Sequence, residues 1–338
     1  MPLIKQRRKQ PFLKTAACLG CLLLLVLAAC SGSQIGPASP VPTSTRLPPT
    51  QIPPTDSPIP AKLSTAIPID TAIPAFPTPI PSPTPLPADF WQRMPVIPKQ
   101  ISPRVREIYQ NGLALGNDPH IFSRIGDCAS AAPAFLVGFD GKYNLGEYAY
   151  LQPAIDYFQG SFKRPSLAAK AGLNSAGLLS MLWTGEQCLK NETLLDCQYR
   201  LDHPSFAFIA IGTNEAYYVK QNPGSFEKNM RIILDDTIAQ GIVPILVTKA
   251  DDVEGDGSIN ASIARLALEY EIPLWNFWLA VQLLPNNGMV EPEHLSSVSY
   301  TNFTDFTIPN SLEYGMQIRN LTALQMLDFL RMQLEGKN

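Results

Sequence analysis

Phe206-Ala207-Phe208-Ile209-Ala210-Ile211-Gly212-Thr213-Asn214-Glu215 is the stretch on which the fold turns. Six apolar residues without alternation read as a strand buried on both faces, the situation of a parallel sheet covered by helices on either side. The run stops at a glycine and three polar residues, as a strand does on leaving a sheet for a loop. Downstream, Phe226 to Gln240 has helical spacing and closes on Gly241. Ile242 to Val247 is the next buried strand, Ser258 to Tyr270 a helix, Ile272 to Phe277 another strand, and Leu312 to Leu334 a long closing helix. Upstream, Ser102-Pro103 supplies an N-cap and a proline at the first helical position, opening a helix that runs to about Leu115. Ile121 to Ile125 is the first strand, ending at Gly126-Asp127-Cys128. Helical pattern is expected over Leu145 to Phe158 and Ser166 to Leu182, followed by a polar loop bounded by Cys188 and Cys197. Strands alternating with helices imply right-handed βαβ units, hence an α/β fold with a parallel sheet between two helical layers. Ligands in such sheets sit at the carboxyl ends of the strands. Residues 126–128, 212–215 and the loop after Phe277 should therefore meet at one edge.

The rest of the chain sets where this domain is delivered. Met1 to Lys14 carries Lys5, Arg7, Arg8, Lys9 and Lys14 with no acidic residue, and an apolar run from Ala16 to Ala29 follows. The run is shorter than the roughly 20 residues a permanent membrane helix needs. Charged start and short apolar stretch together read as an export signal, residues 1–29. It ends Leu27-Ala28-Ala29-Cys30-Ser31-Gly32, which resembles the lipobox of bacterial lipoproteins. That resemblance implies acylation of Cys30 and an extracytoplasmic, lipid-anchored chain whose membrane partner is reached through that lipid. Residues 30–90 are dominated by Pro, Thr, Ser, Ile and Ala, too poor in large apolar groups to offset the entropy of folding. At about 3.1 Å per residue this tether extends at most on the order of 180 Å. Residues 91–338 are enough for one substantial core. The net charge of −3 and the lack of a basic stripe argue against a nucleic-acid partner.

Of six cysteines, Cys18 and Cys21 fall in the signal and Cys30 in the lipobox, leaving Cys128, Cys188 and Cys197. Exported thiols tend to pair, and a Cys188–Cys197 disulfide around the intervening polar segment is the economical choice. Cys128 is then free. The alternatives are that it pairs with one of the other two, or is an inert buried thiol. General bases are scarce: the chain has three histidines. His120 and His203 precede strands, at the wrong end for a carboxyl-edge site. His294 lies in Val290-Glu291-Pro292-Glu293-His294-Leu295-Ser296, after the last strand, with Glu291 three residues before it and able to orient its ring.

Gly126-Asp127-Cys128, Gly212-Thr213-Asn214-Glu215 and Glu291-x-x-His294, in that order, resemble the motifs of the SGNH, or GDSL, hydrolases. The resemblance spans about residues 100–335 and implies a flavodoxin-like three-layer α/β/α sheet. It also implies hydrolysis of acyl esters, on a small molecule or a polysaccharide, without a metal or other cofactor. Cys128 stands where the family has its nucleophilic serine, His294 where it has the base, and Glu291 where an aspartate orients that base. The oxyanion donors implied are the backbone N–H of Cys128, the glycine of a second motif, assigned to Gly172, and the side-chain amide of Asn214. Gly126, Asp127, Gly212 and Glu215 complete the motifs, Glu215 replacing the usual aspartate. An adjacent imidazole would lower the Cys128 pKa and let the pair begin as an ion pair. A cysteine in this place also permits a non-catalytic descendant that binds carbohydrate or another ligand on the same fold. Redox chemistry at Cys128 lacks a partner thiol at Cys-x-x-Cys spacing.

Other patterns carry less. Asp252-x-Glu254-x-Asp256-Gly257 begins like a calcium loop, but its twelfth position is Ile263 instead of a bidentate glutamate. Trp275, Phe277 and Trp278 suit a buried strand better than a sugar cleft. No Gly-x-Ser-x-Gly elbow occurs, which argues against the α/β-hydrolase family.

Overall fold

The computed structural model describes residues 86–131, 133–219, 222, 224–299 and 301–336. The expected export signal, Cys30 and the expected tether up to residue 85 lie outside the described residues. Among the described residues no helix is long and apolar enough to cross a membrane.

The elements run α1 (Pro103–Leu115), β1 (Asp118–Gly126), α2 (Gln152–Tyr157), α3 (Ser175–Leu178), α4 (Leu194–Asp202) and β2 (Pro204–Ala210). They continue with α5 (Ser225–Ala239), β3 (Val243–Val247), α6 (Ser258–Glu269), β4 (Leu274–Trp275), α7 (Phe277–Val281) and α8 (Gly315–Glu335). All strand pairs are parallel, in the order β1-β2-β3-β4. A single parallel bridge from Gly126 to Ala169 adds a vestigial strand on the free edge of β1. Gly126 N–H donates to Ala168 O at 2.8 Å and Lys170 N–H to Gly126 O at 3.1 Å. With that bridge counted, the spatial order is the flavodoxin-like 2-1-3-4-5. Connectivity reverses between β1 and β2, the crevice where such sheets hold ligands.

Burial follows the strand period. Phe122, Phe206, Phe208 and Trp275 face one layer, formed by α1, α2 and α8. Phe206 stacks on Tyr109 of α1, while Phe208 meets Phe122, Phe135 and Trp275 at centroid separations of 5.9, 5.8 and 5.6 Å. Glu335 at the end of α8 accepts the hydroxyls of both Tyr109 and Tyr157, drawing the three helices together. On the other face, Ser123 of β1 donates to Asp202 of α4, and Tyr199 of α4 meets Thr237 of α5. Arg231 and Arg265 then join α5 to α6 through Glu227 and Glu269. These are the three layers expected of the fold.

Several local expectations are corrected. The helix foreseen over Ser166 to Leu182 is instead the vestigial strand at 168–170, the one-turn α3 and a 3-10 turn at Met181–Trp183. Gly172 adopts φ +78°, a left-handed conformation that interrupts a helix, and Asn174 restarts it by capping Gly177 N–H. The segment up to Cys197, read as a loop, contains α4, capped by Thr193 accepting from Asp196 N–H at 3.1 Å. The pattern over Leu145 to Phe158 splits into a 3-10 segment, Gly146–Leu151, and α2. The last strand is cut to two residues because Asn276 caps α7, and Phe277 and Trp278 are helical. Trp275 and Phe277 are core residues, and Trp278 packs edge-on against Trp91.

Candidate active site

The turn after β1 is shaped by crowding. A Cβ at Gly126 would lie 2.3 Å from Ser130 Oγ and 2.8 Å from the Ala210 carbonyl, so no larger residue fits. Asp127 caps the 3-10 turn Cys128–Ser130, its Oδ1 accepting Ala129 N–H at 3.0 Å. Cys128 is half-buried and free, and Cys188 and Cys197 form the expected disulfide. Burial pushes the Cys128 thiol up from its ordinary value and the Asp127 charge pushes the same way, while Arg319 opposes them. Burial and Asp127 thus both oppose formation of the thiolate.

Beyond β2, Asn214 reaches across the reversal point of the sheet. Its Nδ2 donates to Leu173 O at 3.0 Å, placing the amide beside the left-handed Gly172. Gly212 opens this loop and its carbonyl accepts from Ala216 N–H. Glu215 is buried. One carboxylate oxygen accepts the Ser175 N–H at the start of α3, and the other has no partner among the described residues. Burial holds both Glu215 and Asp127 above the usual carboxylate range. A carboxyl raised on folding binds its proton more tightly in the folded state, so its stabilisation is complete in acid and is lost as pH rises through the folded pKa. Lowering pH from about 7 to about 5 is therefore expected to raise Tm, and Glu215→Gln to flatten part of that slope. A Tm that falls steadily over the same interval would contradict the assignment.

The third piece is the loop after α7. Met289 and Leu295 form an antiparallel bridge, and Val290 N–H donates to His294 O at 2.9 Å, closing a tight turn. Within it Glu291 Oε1 lies 2.7 Å from His294 Nδ1, the orienting contact foreseen from the spacing. Ser296 fixes the end of the turn: its Oγ donates to Gly288 O and accepts Gly315 N–H at the start of α8. The Tyr217 hydroxyl donates to Glu293, so the loop carrying Asn214 and the loop carrying His294 are tied directly. No hydrogen bond joins Cys128 to His294 among the described residues. The two remaining histidines lie at the amino end of the sheet: His203 caps α4 with φ +48°, and His120 meets the Tyr157 carbonyl.

One cavity unites these loops. Its wall includes Asp127, Ala129, Thr213, Glu293 and Leu295, but not Cys128, Gly172, Asn214, Glu291 or His294 themselves. Lys249, Asp251 and Arg319 line it too, and sequence reading overlooked all three. Thr213 Oγ1 donates to Asp251 Oδ2 at 2.7 Å. Lys249 Nζ donates to Asp251 Oδ1 at 2.7 Å and to Glu254 Oε2 at 2.5 Å. Buried charges are tolerated when paired in this way. Lys249 was discoverable as a cation following the apolar run of β3 into the carboxyl edge. Arg319, in the middle of a helix, left no such signal.

The calcium-like loop is accounted for by the same contacts. Glu254 is on Lys249, Asp252 accepts Gly257 N–H at 3.0 Å, and Asp256 accepts Ser258 N–H at 3.0 Å. Cys188, Glu192 and Cys197 converge at metal-ligand distance, but the two sulfurs form the disulfide and Glu192 grips Arg200.

No family model and no curated protein matches the chain. Solved structures do show similarity. One is a catalytic mutant of Axe2, an acetylxylan esterase from Geobacillus stearothermophilus, at 16% identity and a TM-score of 0.39, covering 62% of this chain and 94% of that one. A likeness at this level leaves the site to be read from the residues described above.

Proposed function

We propose that the chain is an extracytoplasmic hydrolase of acyl esters of the SGNH kind, lipid-anchored through Cys30, with a Cys128, His294 and Glu291 working set. The observation that carries this reading is the Glu291–His294 contact of 2.7 Å, on a loop tied to the loop carrying Asn214 by the Tyr217–Glu293 hydrogen bond. In the reaction, His294 Nε2 takes the thiol proton as Cys128 Sγ attacks the acyl carbon. Glu291 stabilises the imidazolium that forms, and the proton passes to the departing alkoxide. Water then attacks the thioester with His294 as base, releasing the acid and restoring the thiol. The N–H groups of Cys128 and Gly172 and the second amide N–H of Asn214 are assigned to the oxyanion. The acyl ester is proposed to be borne by a polysaccharide or a small molecule.

A second reading has one observation in its favour. Burial and Asp127 both oppose ionisation of Cys128, which suits a ligand-binding protein whose nucleophile has lapsed. The detergent-solubilised full chain, assayed on aryl esters of increasing acyl length, separates the two. Turnover supports the hydrolase, and its absence over the whole series leaves the binding protein. Given turnover, Asn214→Ala is expected to lower kcat by about 10²–10³ with little change in KM, as for loss of one oxyanion donor. An unchanged kcat would remove Asn214 from that role.

A further inference from the structure

Arg319 is a charged residue in an expensive place. It lies in the second turn of α8. Only 3% of it is exposed. None of the ion pairs among the described residues includes it, so no carboxylate sits within 4.0 Å of its guanidinium. Three aromatic rings hold it instead: Phe135, Trp275 and Phe277 at 4.8, 5.2 and 4.9 Å from the guanidinium carbon. Its two side-chain hydrogen bonds both go to the turn that bears the nucleophile. Nε donates to Ala129 O at 3.1 Å and Nη2 to Ser130 Oγ at 3.1 Å. A cation so thoroughly desolvated would be replaced by an apolar residue at little cost to stability if packing were its whole task.

We propose that Arg319 is the positioning residue of the Cys128 turn, clamping it from α8 and holding a fixed positive charge against the thiol. The clamp holds the Ala129–Ser130 peptide and the Ser130 side chain, anchoring the end of the turn that Cys128 begins. Among the groups acting on the thiol, Asp127 disfavours the thiolate, while the Ala129 N–H and the Arg319 charge favour it. The other charged residues of the cavity wall are Lys249 and Asp251 from the end of β3, which form an ion-pair group with Glu254, and Glu293 from the His294 loop. Desolvation draws Arg319 itself down to about 10, so it remains a cation at neutral pH.

The inference rests on the esterase reading of Cys128, but its test uses no ester. The rate at which iodoacetamide labels Cys128 is followed against pH on the full chain, with the labelled peptide quantified by mass spectrometry. Arg319→Gln keeps a donor for Ala129 O and removes the charge. It is expected to move the midpoint of the profile upward by about one pH unit, roughly a tenfold loss of thiolate at neutral pH. Arg319→Lys keeps the charge and is expected to stay near the parent midpoint. Ser130→Ala, which removes one hydrogen bond and leaves the cation, should do the same. A Gln variant that folds and labels with the parent profile overturns the proposal, as does an equal displacement for Gln and Lys. Should the Gln variant not fold, a Lys variant displaced upward by a full pH unit overturns it alone. A chain inactive on every ester but with the expected labelling shifts would sink the hydrolase and leave this inference standing.

Discussion

Replacing His294 by alanine is expected to lower kcat/KM on an aryl ester by at least about 10³-fold, because no other base shares its loop edge. His120 and His203 are at the far end of the sheet and cannot substitute. Cys128→Ala should cost as much, and the double variant little more, since residues that act as a unit are lost as a unit. Glu291→Gln should cost less, on the order of tenfold, because solvent screens its charge: the His294 and Glu291 side chains are 52% and 61% exposed. The check is steady-state hydrolysis by the four purified variants, with burst kinetics to separate acylation from deacylation. Multiplicative losses in the double variant would mean that Cys128 and His294 do not act in one step. Activity surviving Cys128→Ala would place the nucleophile elsewhere.

The second large effect is on stability. Phe208→Ala should destabilise the domain by about 3–5 kcal/mol, the usual cost of deleting a buried aromatic ring. Phe208 is the middle residue of a central strand, and its ring contacts Phe122, Phe135 and Trp275 at once. Total stabilities of such domains are on the order of 5–15 kcal/mol, so the loss is a large share. Urea unfolding followed by tryptophan fluorescence measures it, and a change under about 1 kcal/mol would show that the cluster closes over the void. The same variant should blunt thiol labelling, because Phe135 and Trp275 also hold the Arg319 guanidinium.

The parts of this molecule legible in its sequence are those governed by local periodicity. The run from Phe206 to Ile211 is a parallel, doubly buried strand because every residue in it must be apolar, and the helix ending at Gly241 is terminated by a residue that tolerates φ +69°. The Glu291–His294 contact was legible for a similar reason, the two lying on one tight turn. What escaped was set by distant neighbours. Gly172 has φ +78° because residues 168–170 must lie along β1, a demand imposed by Gly126, over forty positions earlier. One charge acting on the thiol, Arg319, was not legible because it is 190 residues away from the turn it grips. Helical spacing also could not separate the short turns near Ser175 and Met181 from one continuous helix.

That grip has a bearing on the order in which the molecule is assembled. The sheet can align once β1 to β4 have been made, and its disulfide joins positions 9 apart. The nucleophile turn gains its clamp only when α8 docks, closing a loop that spans more than half of the chain. Closing so long a span carries an entropic penalty that only a largely consolidated sheet can offset. A half-folded chain would then carry Cys128 on an unclamped turn, without the buried cation beside it. Reactivity at Cys128 is thus a late acquisition of this fold, withheld until the last helix is seated.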